Sequence, residues 1–392
     1  MKATKVLLIG YYGVQNIGDE MFLRLLIKQL KRSGVEKDQI ILISPEKEFL
    51  ESKYDINVVH PQKDSNLKLL KILYSLKIYI KTIKSVDIII YGGGTQIQEF
   101  GKNSYKSLIF KVIYLLANKL FYKRPVYHFA VGIDKMKSTI GKKCTKWIYQ
   151  LSDGFILRDK YSYEYLKEVI KVTKKSKMKV KTDLAFNKDM VNLLQKKSED
   201  VKSNKIKIGI SLFPYYEKQL HDKKRQQDFD SQIIKFLKSI NTSDYEIHFI
   251  PFQGNMGNKD NIYMDELTYD FENAILHNYS DNFEETCRVI SEMDICIGMR
   301  LHFVIFSLIA SKPTIPIDYH VKVEQFTKTL GLQDHMIKID QLNFEVLLKK
   351  LLSIEKNYEK VSSLVKNNVR TEVEKGEDIY KELDNIISVV KK

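Results

Sequence analysis

The sequence predicts an α/β protein made of two doubly wound, Rossmann-like domains facing each other across a cleft. Three observations predict it. Short apolar runs alternate with amphipathic stretches along the chain, as in parallel sheets covered by helices on both faces. The alternation lapses once, in the polar stretch at residues 187–205, and then restarts. The 392 residues exceed one ordinary core and suit two.

The elements follow in order. "KVLLIGYYG" (5–13) is a buried strand ending in a glycine turn, and "DEMFLRLLIKQLKRSG" (19–34) is the helix after it, stopped by Gly34. "DQIILIS" is a strand, residues 66–84 an amphipathic helix rich in Lys, Leu and Ile, and "VDIIIYGGG" (86–94) a strand running into three glycines. "SLIFKVIYLLANKLF" is a helix and "PVYHFAVGI" a strand, and "DGFILRDKYSYEYLKEV" passes from strand to helix through Arg158. After the polar stretch come "IKIGISLFP", "SQIIKFLKSI", "YEIHFIPF", "DNFEETCRVISEM", "DICIGMR", "LHFVIFSLIAS" and "PTIPIDY", strand and helix in turn. The expected domains are therefore 1–196 and 205–375. A charged C-terminal helix, 376–392, is available to pack back on the first.

Composition excludes several classes. Apolar residues make up 44 % of the chain, with only 7 prolines and 17 glycines, so nothing is low-complexity or fibrous. Cys144, Cys287 and Cys296 are distant and odd in number, which fits neither a metal site nor a disulfide framework and points to a reducing cytosol. The start reads as a first strand rather than a secretory leader, and no uncharged stretch reaches the roughly 20 residues of a membrane helix. A cytoplasmic protein is expected. The net charge of +15 is mostly lysine; it fits a solvated surface, an anionic substrate or an anionic membrane. Nucleic acid is not expected, since no recognition signature or basic arm is present.

Three strand ends carry unusual residues. In "GYYGVQNIGDE" (10–20), glycines allow a tight turn. Asp19 and Glu20 suit the positive end of a helix, whereas Asn16 has no such local reason to be there. The spacing is neither a dinucleotide fingerprint nor a P-loop. In "YGGGTQIQ" (91–98), the triplet around Gly93 could offer N–H groups to an anion, and Thr95, Gln96 and Gln98 are neutral donors and acceptors of the kind sugars need. In "ICIGMRLHFVIFSLIASKP", Arg300 and His302 stand where a buried strand becomes a buried helix. Free N–H groups open that helix, a guanidinium fork matches carboxylate or phosphate, and a histidine two residues on can move a proton. The bland alternative is a buried ion pair of Arg300 with Asp294 or another carboxylate. Tyr319, His320 and Lys322 end the next strand nearby, and Arg158 does so in the first half. Cations at strand ends around one cleft suggest a small, highly charged anion.

These motifs resemble the polysaccharide pyruvyl transferases, in order and spacing from about residue 6 to 330. "GYYGVQNIGDE", "YGGGTQIQ", "FILRD", "VKTDLAF" and above all "GMRLHFVIFSLIASKPTIPIDYHVKV" carry the resemblance. It implies the two-domain GT-B-like fold, phosphoenolpyruvate as donor and co-substrate with no further cofactor, and a sugar of a glycan or lipid-linked oligosaccharide as acceptor. The product is a pyruvate ketal. By the same resemblance Arg300 and Arg158 bind the donor, Leu301 gives a backbone contact and His302 is the general acid. Lys322 joins them by charge and location. Asn16, Asp19, Gly93 and Gln98 are placed on the acceptor side, and Asp19, Glu20 and Asp183 are candidate bases. The segment "IPFQGNMGNKDN" lacks the histidine or acidic cluster that many relatives carry, and Asp260 is the nearest substitute.

Two alternatives use the same fold. A nucleotide-sugar glycosyltransferase would use a glutamate pair spaced like Glu284 and Glu292, and a non-catalytic relative would bind sugar or anion only. Separately, the lysine-rich helices at 66–84 and 105–123 could lie on anionic lipid at the inner face of the membrane, or simply pack on the sheet.

Overall fold

The computed structural model describes residues 4–61, 68–99, 104–171, 177–196, 204–240, 243–256, 259–269, 271 and 274–391. The chain forms two compact units. One comprises Met1–Val14, Asp19–Leu184 and Lys375–Lys392, and the other Gln15–Gly18 and Ala185–Glu374.

In the first unit the chain runs β1 (Val6–Ile9), α1 (Ile17–Arg32), β2 (Ile40–Ile43), α2 (Lys47–Tyr54), β3 (Asn57–Val59), α3 (Lys68–Lys84), β4 (Ile88–Gly92), β5 (Thr95–Ile97), α4 (Tyr105–Phe121), β6 (Val126–Ile133), α5 (Thr139–Leu151), β7 (Gly154–Leu157), α6 (Lys160–Ile170) and β8 (Met178–Val180). The strands pair in parallel in the order β3-β2-β1-β4-β6-β7-β8, with β5 added beside β6. The sheet winds outward both ways from β1, and the four residues of β7 and the five of β4 are all buried, as strands covered on both faces must be.

In the second unit the chain runs α7 (Lys188–Leu194), β9 (Ile206–Ser211), α8 (Tyr215–Leu220), α9 (Lys223–Ser239), β10 (Tyr245–Phe249), α10 (Asp260–Thr268), β11 (Ala274–Leu276), α11 (Phe283–Ser291), β12 (Ile295–Gly298), α12 (Leu301–Ile309), β13 (Thr314–Asp318), α13 (Val321–Thr329), β14 (Ile337–Lys338), α14 (Phe344–Lys356) and α15 (Tyr358–Lys391). Its parallel sheet has the order β11-β10-β9-β12-β13-β14. Ile208, Ile210, Phe249, Ile295, Ile297 and Ile315 build the centre of its core.

The unit boundaries differ from the expected ones in two places. The break falls between Leu184 and Ala185, because the polar stretch contains α7, capped by the Asn187 side chain on Met190 N–H, with Met190 and Leu194 buried; residues 197–203 lie outside the described residues. The other difference is the four residues Gln15–Gly18, which belong to the second unit although their neighbours on either side belong to the first. Ile17 N–H donates to Phe252 O, Gly254 N–H donates to Gln15 O, and Asn16 forms an antiparallel bridge with Gln253. The C-terminal end of the chain packs on the first unit: from Lys375 the long helix α15 belongs to it, with Glu382 2.6 Å from Lys179 and Tyr380 donating to Leu184 O at 3.2 Å.

Candidate functional site

In the second unit the candidate residues stand at the C-terminal ends of adjacent parallel strands β10, β9, β12 and β13, where open α/β sheets bind ligands. Strand β12 ends at Gly298 and helix α12 begins at Leu301, with Arg300 as its N-cap in an extended conformation. Arg300 has no side-chain cap bond, and the N–H groups of the first turn point out of the helix end. Gly298 is required here, since a Cβ would stand 2.2 Å from the Phe303 ring.

Arg300 is held in a fixed plane. Its Nε donates to Asp260 Oδ2 at 2.9 Å, its Nη2 donates to Asp260 Oδ1 and to Gln253 Oε1 (3.0 Å), and its guanidinium lies 4.0 Å from the Phe213 ring centroid. Asp260 is fully buried and also accepts from Gln253 N–H at 3.0 Å. Burial pushes the Asp260 carboxyl above the usual carboxylate range, against the pull of Arg300. The arginine therefore has a carboxylate partner, and it is Asp260, not Asp294. Asp294 precedes β12 and accepts from Lys207 N–H at 2.9 Å, while Arg300 follows β12, so the extended strand holds them at opposite edges of the sheet.

His302, in the first turn of α12, lies over Gly18. A Cβ on Gly18 would fall 2.0 Å from His302 Nδ1 and 2.5 Å from Cγ, so the ring occupies the space a side chain would need. Asn16 Oδ1 accepts from Gly18 N–H at 3.0 Å and fixes this turn. Asn16, expected on the acceptor side of the first domain, thus belongs to the second unit beside His302.

The β13 end joins the same group through aromatic packing. Tyr319 meets Phe213 edge-on at 4.8 Å and tilts against Tyr215 at 5.1 Å. His320 caps α13, its ring accepting from Lys322 N–H at 3.3 Å and its own N–H donating to Asp318 at 3.1 Å. Sequence reasoning missed Gly18, Gln253, Phe213 and Ser211. Ser211, at the end of β9 opposite Gly298, is fully buried, and among the described residues its hydroxyl has no hydrogen-bond partner. Glu284 and Glu292 are placed apart, one in the first turn of α11 and one at its C-cap, with Glu292 3.6 Å from Arg288.

In the first unit, Arg158 is buried at the end of β7. It pairs with Asp183 at 3.2 Å, donates to Thr95 Oγ1 at 3.3 Å, and packs where a Cβ on Gly132 would reach it at 3.0 Å. Glu20 is buried too, accepting from Gly13 N–H at 2.8 Å and from Tyr54 at 3.2 Å. Gly93 is tied up by the fold. Its N–H donates to Phe129 O at 3.0 Å, its φ is +65°, and Phe22 fills the space where a Cβ would be, so this N–H does not serve an anion nest. Asp19 lies against Gly94, where a Cβ would be 2.9 Å from Oδ1. Tyr11, Asp19 and Gln98 form a polar group. Burial raises the Tyr11 phenol, Asp19 raises it further, and a hydrogen bond with Gln98 opposes both.

A cavity of about 220 Å³ in the first unit is lined by Ile9, Tyr79, Tyr91, Phe110, Lys111 and Tyr114 among others. Lys111 Nζ donates to Gln96 O at 2.7 Å and sits 4.8 Å from the Tyr91 centroid, and burial lowers its pKa to about 7. Between pH 7 and the unfolded value of about 10.4 the amine is neutral when folded and protonated when unfolded, so stability rises with pH across that window. Thermal melts from pH 7 to 10 are expected to show that rise in the wild type and a flatter profile in Lys111→Met.

The polysaccharide pyruvyl transferase family model matches residues 16–321, a span that includes Arg300, His302 and the Asn16–Gly18 turn. No curated protein matches. Among solved structures, S. aureus MnaA with UDP is similar at TM-score 0.66 and 10 % identity, covering 100 % of this chain and 98 % of that one. Anabaena HepE with UDP-glucose gives 0.64 and 12 % (98 % and 99 % covered), and a glycosyltransferase from Rickettsia africae 0.63 and 17 % (97 % and 99 %). Those similarities establish a fold of two Rossmann-like domains, shared with GT-B-like epimerases and glycosyltransferases, and the family match adds to it: this chain belongs to the polysaccharide pyruvyl transferase family.

Proposed function

We propose that the protein transfers pyruvate from phosphoenolpyruvate to two hydroxyls of one sugar in a glycan, forming a cyclic ketal and releasing phosphate. The observation that carries this reading is the first turn of α12. There a planar, carboxylate-fixed Arg300, the Leu301 N–H and the His302 ring stand in consecutive positions at a positive helix end. That set suits a small anion whose reaction begins with protonation.

In this reading Arg300, the Leu301 N–H and Lys322 hold the donor's carboxylate and phosphate, and His302 gives a proton to its methylene carbon. The neighbouring carbon becomes electrophilic and one sugar hydroxyl adds to it. A second hydroxyl then displaces phosphate and closes the ring, the cationic groups easing departure of the phosphate. Two hydroxyl protons leave the sugar, and the balance places one in the new methyl group and one on phosphate. Asp19 and Gln98 remain the acceptor candidates. The Asp183 contact gives Arg158 a structural partner, and a donor role for it would have to coexist with that pair.

The test is phosphate release from phosphoenolpyruvate with a panel of galactosides, mannosides, glucosides and N-acetylated sugars, in wild type and His302→Ala. Release that requires a sugar and falls by about 10²–10⁴-fold in the variant is expected. Release unchanged in the variant removes His302 from the mechanism. Turnover of nucleotide sugars without phosphoenolpyruvate would favour the glycosyltransferase alternative, and binding without turnover the non-catalytic one.

A further inference from the structure

We infer that the face of the first unit formed by α3, α4 and α5 docks on an anionic lipid bilayer. Helix α4 packs against both α3 and α5. Ser75 and Tyr114 lie 2.8 Å apart in hydrogen-bond contact, and Tyr79 stacks on Tyr114 at 4.4 Å, joining α3 to α4. All three helices follow strands whose crossovers run the same way across the sheet, so they lie side by side on one face.

Charge sets this face apart. The helices contain eleven lysines and no aspartate or glutamate, although at the chain's average composition their 47 residues would carry about six carboxylates. One of the eleven, Lys111, is turned inward onto Gln96 O, which leaves ten to charge the helices outside the cavity. Lys71, Lys77, Lys106, Lys119, Lys142 and Lys146 are exposed.

Among the lysines stand large apolar side chains open to solvent. On α4, Ile113, Leu120 and Phe121 are 38 %, 72 % and 65 % exposed, with Ile113 and Leu120 two helical turns apart on the outward side. Leu73 on α3 is 52 % exposed, and Trp147 on α5, the chain's one tryptophan, is 50 % exposed. Apolar side chains that enter the acyl boundary, a lysine surround that meets anionic headgroups and an indole suited to the interface are the components of a monotopic surface. A second copy of the chain fits this face poorly, since a two-fold contact would set lysine against lysine. No described helix is long and apolar enough to cross a membrane, so the contact is peripheral. The inference is independent of the chemistry at Arg300 and His302.

The full chain is tested by sedimentation with phosphatidylcholine vesicles and with phosphatidylcholine–phosphatidylglycerol vesicles in a two-to-one ratio, while Trp147 emission is followed. Binding to the anionic vesicles only, weakened by salt and accompanied by a blue shift, is expected. Leu120→Glu with Phe121→Glu should reduce the bound fraction at least about tenfold, and Lys142→Glu with Lys146→Glu should do the same. These positions are exposed, and unchanged thermal melts confirm that the variants fold. Equal binding to neutral vesicles, no binding, or sedimentation with unshifted Trp147 emission overturns the proposal. Binding that survives the Leu120 and Phe121 changes also overturns it, and indicates an acidic macromolecular partner held by charge alone.

Discussion

Replacing Asp260 by Ala is expected to destabilise the second unit by about 3–5 kcal/mol, because it strands a mostly buried guanidinium that has lost its carboxylate. Arg300 is 12 % exposed at its side chain and Asp260 is not exposed at all, so water cannot replace the missing partner cheaply. Removing Arg300 instead leaves the carboxylate buried, and its pKa, already raised by burial, climbs further without the guanidinium. The two halves of the pair should therefore be severe singly and milder together. Arg300→Met with Asp260→Leu should recover most of the stability, short of the hydrogen bond that Asp260 accepts from Gln253 N–H. Urea unfolding of the three variants measures this. Phosphate release from phosphoenolpyruvate separates stability from function, since the double variant should fold and remain inactive. A double variant with wild-type activity would show that the arginine serves packing only.

The second large effect concerns a residue with no side chain. Gly18→Ala is expected to lower turnover by about 10²-fold, since the new Cβ must displace the His302 ring from its seat. Gly18 lies in the first turn of α1, where alanine alone would favour the helix by up to about 1 kcal/mol. The sign of the stability change is therefore informative. In the wild-type background the collision should outweigh that gain. With His302→Ala already present, Gly18→Ala should be neutral or stabilising, and a double-mutant cycle by thermal unfolding reads the coupling directly. Equal effects in both backgrounds would mean that the ring and the glycine do not meet. The pH profile of turnover gives an independent readout, because a displaced imidazole changes proton transfer where a merely loosened fold would not.

Much of the fold was legible because buried parallel strands need continuous apolar runs. "IIIYG" and "ICIG" have little choice but to be strands, and the restart of the pattern at Ile206 shows a second sheet. The three-residue strands β3, β5, β8 and β11 are too short to show periodicity. Arg300 and His302 stood out because both are polar at a junction between two apolar elements. How their supports reach them was not legible, for distinct reasons. Asp260 was noticed only as a substitute for an acidic cluster, and its pairing with Arg300 spans 40 residues. Gly18 reads locally as a turn glycine, and only the folded chain shows a ring over it. Asn16 had no local reason to be there, and its reason is long-range: it orders a turn that belongs to the second unit although it precedes nearly the whole first unit in sequence. At the glycine triplet the folded chain adds a use that the sequence does not show, since Gly93 spends its N–H and its missing side chain on internal packing.

The four residues Gln15–Gly18 also bear on how the protein is made. The seat of His302 leaves the ribosome roughly 280 residues before the histidine itself, and at bacterial-scale synthesis rates the interval is on the order of 15–60 s. The first sheet has time to assemble while this short loop is still waiting for its partner strand. Expressing residues 185–374 alone would produce a domain with a bare edge at Gln253 and a histidine without its floor. Dissecting the protein at its most obvious boundary would therefore separate the second unit from four of its own residues, the ones on which the His302 ring rests.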